Sequence, residues 1–254
     1  MNMRRYGTKL TISGQPSPWI SFGPARHISA NVLSDDCVNL LKAWIEDCRE
    51  QHSICNTTTQ SDLPARLLKV ERLAGEENPT TTLCAVDVNE IHPYVALSHS
   101  WAVSRPIKTT SENLLERQRG IPWKELPEAY RDTIILSLQL RLEYIWIDSL
   151  CIVQGDRVDW EKESPKMGVI YAKAHVVFAA HGPNLCLKKE LPETIDIIQE
   201  DSMGSLPDHP IYVRRKTNHE DLFNPCADTT SYLGRAWCFQ ERLFASRILH
   251  FGGS

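Results

Sequence analysis

Three short apolar runs, separated by segments of helical periodicity, constrain this chain most. They are Tyr94–Ser98, Tyr144–Asp148 and His175–Ala180. None shows the apolar/polar alternation of a half-exposed strand. Strands apolar on both faces belong to parallel sheets covered on both sides by helices. The intervening segments supply such helices. Pro127 opens one at a favoured first-turn position, and Tyr130, Ile134, Leu138 and Leu142 continue it. Met167, Ile170, Tyr171 and Ala174 share one face of the next. The β-α-β-α-β order predicts an α/β fold with ligands at the carboxyl ends of the strands. Those ends carry Ser98-His99-Ser100-Trp101, Asp148-Ser149-Leu150-Cys151 and His181-Gly182-Pro183.

The lead-in to this core has its own signals. Residues 1–33 read as an arm. Ser34 caps a helix that runs to about Gln51, with Asp35 and Asp36 at the positive end of its dipole and Val38, Leu41, Ile45 and Cys48 at helical spacing. Arg66–Val70 and Leu83–Val88 read as two strands, and the turn chemistry of Gly75–Pro79 makes them a hairpin. Residues 1–90 are therefore expected to form a helical and hairpin extension packed on a core at 91–251. Residues 181–230 read as irregular, with a strand only at Ile211–Arg214. A helix at 234–243 and a last strand at Arg247–Phe251 follow. The ending Gly252-Gly253-Ser254 reads as an added linker, with the native chain continuing past it.

Composition excludes several classes. Hydrophobic residues at 42% supply enough apolar material for a packed core. A net charge of −4 offers no basic surface for nucleic acid. No apolar run is long enough to span a membrane, and the N-terminus lacks the apolar stretch of a signal peptide. Eight scattered cysteines do not form a disulfide framework, which points to free thiols in a reducing cytoplasm. With only 12 glycines there is no long phosphate-cradling loop, so any nucleotide must be held by strand-end side chains.

Several residues could carry chemistry. Glu241, in Trp237-Cys-Phe-Gln-Glu-Arg242, could stabilise an oxocarbenium-like centre or grip ribose hydroxyls, or simply pair with Arg242 or Arg235. Glu163 lies where two caps compete. If Asp159 caps the helix, Pro165 falls inside it; if Ser164 caps, Glu163 lies in the preceding loop. Asp148 could hold a ribose or brace a loop, and Trp101 could stack on a base. Cys151 near His99 gives a weaker nucleophile reading. Cys48, His52 and Cys55 have the spacing C-x3-H-x2-C, with Cys37 or Cys84 as a fourth ligand, and positions 48 and 52 share a helical face. The usual paired C-x2-C pattern is absent, so these residues are assigned to helix packing and no metal is expected.

The motifs together resemble the fungal heterokaryon-incompatibility (HET) domain. Tyr94-Val-Ala-Leu-Ser-His-Ser-Trp101 is similar to its opening motif, and Leu126-Pro-Glu-Ala-Tyr-Arg-Asp-Thr-Ile134 to its next helix. Tyr144-Ile-Trp-Ile-Asp-Ser-Leu-Cys-Ile-Val-Gln154 resembles its most specific signature. Asp159–Glu163, Gly234–Leu243 and Arg247–Phe251 continue it in order, and Trp44, Cys48, His52, Cys55 and Leu63–Leu67 resemble the stretch that precedes the core. Ala102 replaces a usual Gly, and Trp237-Cys238 a usual Trp-Thr.

The resemblance implies a TIR-like, flavodoxin-like parallel sheet (TIR, Toll/interleukin-1 receptor) and a role in incompatibility, innate immunity and cell death. Several TIR domains cleave NAD at the nicotinamide–ribose bond with a glutamate in a Trp-Cys-x-x-Glu helix, which Trp237–Glu241 matches. The resemblance thus implies an NAD nucleosidase. Glu241 is its first catalytic candidate and Glu163 its second. Ser98, His99, Ser100, Trp101, Asp148, Ser149 and Trp237 are its expected substrate-binding residues. NAD would be a substrate, with no retained cofactor. Homo-oligomerisation on activation and a regulatory protein partner are also implied. The alternative is a non-catalytic self-associating module that signals through partners.

Overall fold

The computed structural model describes residues 9–11, 31–56, 63–87, 92–101, 106–185, 187, 212–214 and 241–251. The chain forms two compact units, one of residues 1–32 and 188–224 and the other of residues 33–187 and 225–254. In the first, β1 (Lys9–Thr11) and β7 (Tyr212–Arg214) pair antiparallel. The elements that follow belong to the second unit.

The expected lead-in helix is α1 (Asp35–Gln51). The Ser34 side chain accepts from the Cys37 N–H at 3.4 Å, and Val38 and Ile45 are buried. The hairpin is β2 (Arg66–Glu71) with β3 (Thr80–Ala85), in register from Arg66 opposite Ala85 to Glu71 opposite Thr80. Gly75 supplies a positive φ of 87° in its connection. The second strand begins three residues earlier than its apolar run, because Thr80 to Thr82 extend the ladder.

The core strands are β4 (Tyr94–His99), β5 (Tyr144–Trp146), β6 (Val176–Ala180) and β8 (Ile248–Phe251). Every residue of β4 and β6 is buried, as strands covered on both faces must be. The six-stranded sheet runs β3-β2-β5-β4-β6-β8, parallel from β5 to β8 and antiparallel at the hairpin. The expected parallel sheet is therefore mostly parallel, and the hairpin joins it through β2.

Two helical crossings connect the core strands. Helix α2 (Leu114–Arg119) precedes α3 (Glu128–Gln139), which links β4 to β5. The single turn α4 (Asp148–Cys151), α5 (Arg157–Glu163) and α6 (Met167–Lys173) lead from β5 to β6. The first connection steps one way along the sheet and the second steps back across β4. Right-handed crossovers then put α3 and α6 on opposite faces. Side chains agree: the Tyr94 hydroxyl donates to the Ile170 carbonyl of α6 at 2.6 Å, while His99, of opposite parity on β4, meets Tyr130 of α3.

Three sequence expectations change at helix ends. Pro127 is the N-cap of α3 rather than its first helical residue. Leu142 is buried but lies past the helix, which stops where Arg141 takes φ 62° and Leu142 N–H returns to the Ser137 carbonyl at 2.9 Å. Neither Asp159 nor Ser164 caps α5. Asp156 does, accepting from Val158 and Asp159 N–H, and Glu163 is its last residue before a 3-10 turn at Ser164–Lys166 that takes Pro165 at its start.

Candidate functional site

The parallel strands follow the order β5-β4-β6-β8. The direction of winding reverses between β4 and β6, and the carboxyl end of that gap is where such sheets take ligands. Register sets what lines it. Ser98 pairs with Ala179, and Ala179 with His250, so these three lie abreast on the α6 face. The Ala179 methyl between two polar side chains leaves the middle of that row low.

Glu241 meets this row. Residues 241–244 are helical, Glu241 is only 5% exposed, and its Oε2 accepts the hydroxyl of the fully buried Ser98. A carboxylate is seldom buried this far without a specific role or partner. The turn approaches α6 closely at Gly168, where a Cβ would stand 3.2 Å from the Phe244 ring. Sequence spacing left Glu241 between a ribose-facing role and an arginine pair. In the fold its carboxylate meets the strand end of β4 through Ser98.

Beside it, His181 Nε2 and His250 Nδ1 lie 2.9 Å apart. Burial lowers the basicity of both imidazoles. The neighbouring Arg242 guanidinium adds to this, and for His250 so does His181, taking His250 to about 4. Both rings are therefore neutral near pH 7. An imidazole whose folded pKa is depressed costs stability once the unfolded chain begins to protonate. Stability should fall as pH drops from about 6.5 towards 4. His250→Asn is expected to flatten that part of a melting-temperature series. A variant with the wild-type slope would show that the pair does not set it.

The other face of the same strand end holds a second polar cluster. Tyr130 Oη lies 2.9 Å from His99 Nε2 and 2.7 Å from Ser149 Oγ, all three buried. Burial raises the Tyr130 pKa well above its usual value, so the phenol keeps its proton. Next to this cluster, Trp101 Nε1 donates to Asp148 Oδ2 at 2.8 Å. Asp148 Oδ1 accepts the Ser149 N–H at 2.7 Å, and the Lys108 ammonium sits 5.1 Å from the Trp101 ring centroid. Asp148 thus braces Trp101 and starts the α4 turn.

The structure brings Ser98 to Glu241 and joins His99, Trp101, Asp148 and Ser149 in adjacent clusters at the same strand ends. Ser100, 7% exposed, lies between His99 and Trp101 in the chain. Trp237 and Ala102 lie outside the described residues. Glu163 is used elsewhere: Oε2 accepts the Ala65 N–H at 2.9 Å and Oε1 pairs with Lys166 at 2.8 Å, which ties the end of α5 to the start of β2. Cys151 makes a poor nucleophile. Burial pushes its pKa up to about 12, and His99 bonds Tyr130. Sequence reasoning overlooked His250 and Tyr130, which it treated as members of an apolar strand and an apolar helix face. The polar residue inside each pattern was the available signal.

Residues 94–241 match the family model described as Heterokaryon incompatibility protein (HET). No curated protein and no solved structure matches the chain. Among the described residues, no helix is long and apolar enough to cross a membrane. The match covers more than half of the chain and runs from the first core strand to the buried glutamate, so this protein belongs to the heterokaryon incompatibility (HET) family.

Proposed function

We propose that this HET protein hydrolyses NAD at the nicotinamide–ribose bond, with Glu241 as its catalytic carboxylate. Family membership supports a role in heterokaryon-incompatibility cell death, and NAD depletion would be its means. The observation that carries the reading is the buried Glu241 carboxylate, hydrogen-bonded by Ser98 at the carboxyl end of the parallel sheet.

In this reaction the C1′–N bond breaks and its electron pair leaves with neutral nicotinamide. Positive charge develops on the ribose ring. A negative carboxylate held in a poorly hydrated setting stabilises that charge more than it stabilises bound NAD, which is what accelerates a step. Ser98 fixes the orientation of Glu241. Water then adds to C1′ and releases a proton, giving ADP-ribose. Trp101 would stack against a planar ring of the substrate, with Lys108 beside it to attract the pyrophosphate. Asp148 and Ser149 hold that arrangement. Glu163, with both oxygens engaged at β2, acts as a brace in this scheme.

The test is nicotinamide release from NAD by the purified protein over a wide concentration range. Release that rises more steeply than protein concentration would support activation by self-assembly. No release at the highest concentration attainable, by a protein shown to be assembled, would overturn the reading. It would favour a non-catalytic module that signals through partners.

A further inference from the structure

We propose that Cys48, His52 and Cys55 form a zinc site that fastens the end of α1 to the start of β8. The inference is independent of NAD cleavage, because these residues lie at the amino ends of the strands. Arg247, which they contact, donates to the His175 carbonyl just before β6, and His175 N–H in turn donates to the Tyr94 carbonyl at the start of β4.

The geometry comes from two turns of backbone. Cys48 stands on the last turn of α1 and His52, four residues on, is its C-cap, whose N–H donates to the Cys48 carbonyl at 3.1 Å. A 3-10 turn, Ser53–Asn56, then folds the chain back, with Cys55 N–H donating to the His52 carbonyl at 2.9 Å. The result brings two thiol sulfurs and an imidazole nitrogen within 4.8 Å of one another. Tetrahedral zinc, with Zn–S near 2.3 Å and Zn–N near 2.0 Å, needs such atoms about 3.4–3.8 Å apart. An inward shift of about 1 Å at most closes the site. Two thiolates and one imidazole suit zinc better than a hard, oxygen-seeking cation.

The surroundings fit a metal centre. Arg247 Nη1 lies 3.8 Å from Cys48 Sγ and donates to the Cys55 carbonyl at 3.2 Å, as outer residues do that orient metal ligands. Cys55 Sγ lies 3.9 Å from the Ser246 carbonyl. The other cysteines considered as a fourth ligand are committed elsewhere. Cys37 stands about 16 Å back along the α1 axis, and the Cys84 thiol donates to the Leu67 carbonyl at 3.2 Å in the hairpin. Among the described residues the cluster offers three ligand atoms, and water would take the fourth position.

The experiment uses the whole chain, purified without chelator, and zinc is counted per chain. Cobalt is then titrated into zinc-stripped protein to read thiolate-to-metal absorption. The expected result is one zinc per chain, lost in the Cys48→Ser/Cys55→Ser double variant, with an affinity about tenfold weaker for Arg247→Lys. If the double variant does not fold, alkylation of wild type decides: zinc should protect Cys48 and Cys55 and leave Cys37 reactive. Zinc-free protein with no cobalt–thiolate band would overturn the proposal. So would recovery of a Cys48–Cys55 disulfide in place of the metal, or of zinc unchanged in a folded double variant.

Discussion

Glu241→Gln is expected to reduce nicotinamide release by about 10²–10³-fold, a loss of the size seen when one electrostatic stabiliser of a transition state is removed. Glutamine keeps the shape and can still accept from Ser98, so the fold should survive. What disappears is the negative charge opposite the developing ribose cation. The effect should fall on kcat, because the cation exists in the transition state and not in bound NAD. Ser98→Ala removes the hydroxyl that orients Glu241 and should cost less, since the carboxylate itself remains. Undiminished release by a folded Glu241→Gln protein would remove Glu241 from the mechanism. Toxicity that persists in a host expressing Glu241→Gln, with NAD intact, would favour signalling by assembly alone.

The largest expected loss of stability comes from a different carboxylate. Arg66, the first residue of β2, donates through Nη2 to Asp159 of α5 and through Nε to the Cys151 carbonyl at 2.8 Å. Asp159 Oδ2 also accepts the Val153 N–H at 2.8 Å. Both side chains are mostly buried. Arg66→Met leaves a buried carboxylate without its cation, and the expected cost is about 3 kcal/mol. Changing both partners, Arg66→Met with Asp159→Leu, should recover most of it, because no stranded charge remains. A urea series on the three proteins measures both. A single variant as stable as wild type would show that the pair is not coupled.

This pair also sets an acid limit. Burial alone would raise the Asp159 pKa, but the Arg66 guanidinium and the Val153 N–H more than offset it and hold the carboxyl below its ordinary value of 3.8. In that range the unfolded chain binds the proton that the native protein does not. The stabilisation is full above about pH 4 and disappears as pH falls through the depressed value.

Much of the architecture could be read from local patterns. Ser34 followed by two aspartates starts α1 because a side-chain oxygen and negative charge satisfy the free N–H groups there. The uninterrupted apolar runs at β4 and β6 required cover on both faces. The helix cap at Asp156 is also a local device, since its side chain accepts from residues two and three positions on, while Pro165 starts the 3-10 turn that follows.

Glu163 and Glu241 show where reading the chain stops. Both stand near tryptophans and basic residues in sequence, and both become buried. One meets a backbone amide 98 residues away, and the other a serine hydroxyl 143 residues away. Likewise the C-x3-H-x2-C spacing is compatible with helix packing until the turn at 53–56 folds Cys55 back onto Cys48 and His52. Local patterns encode the Ser34 cap of α1 and the apolar runs that make an α/β sheet, because those depend on residues a few positions apart. Which carboxylate faces the strand ends, which one braces the hairpin, and which thiols converge are settled by long-range contacts. Those outcomes depend on strand order and register, which bring distant side chains together and which no local spacing encodes.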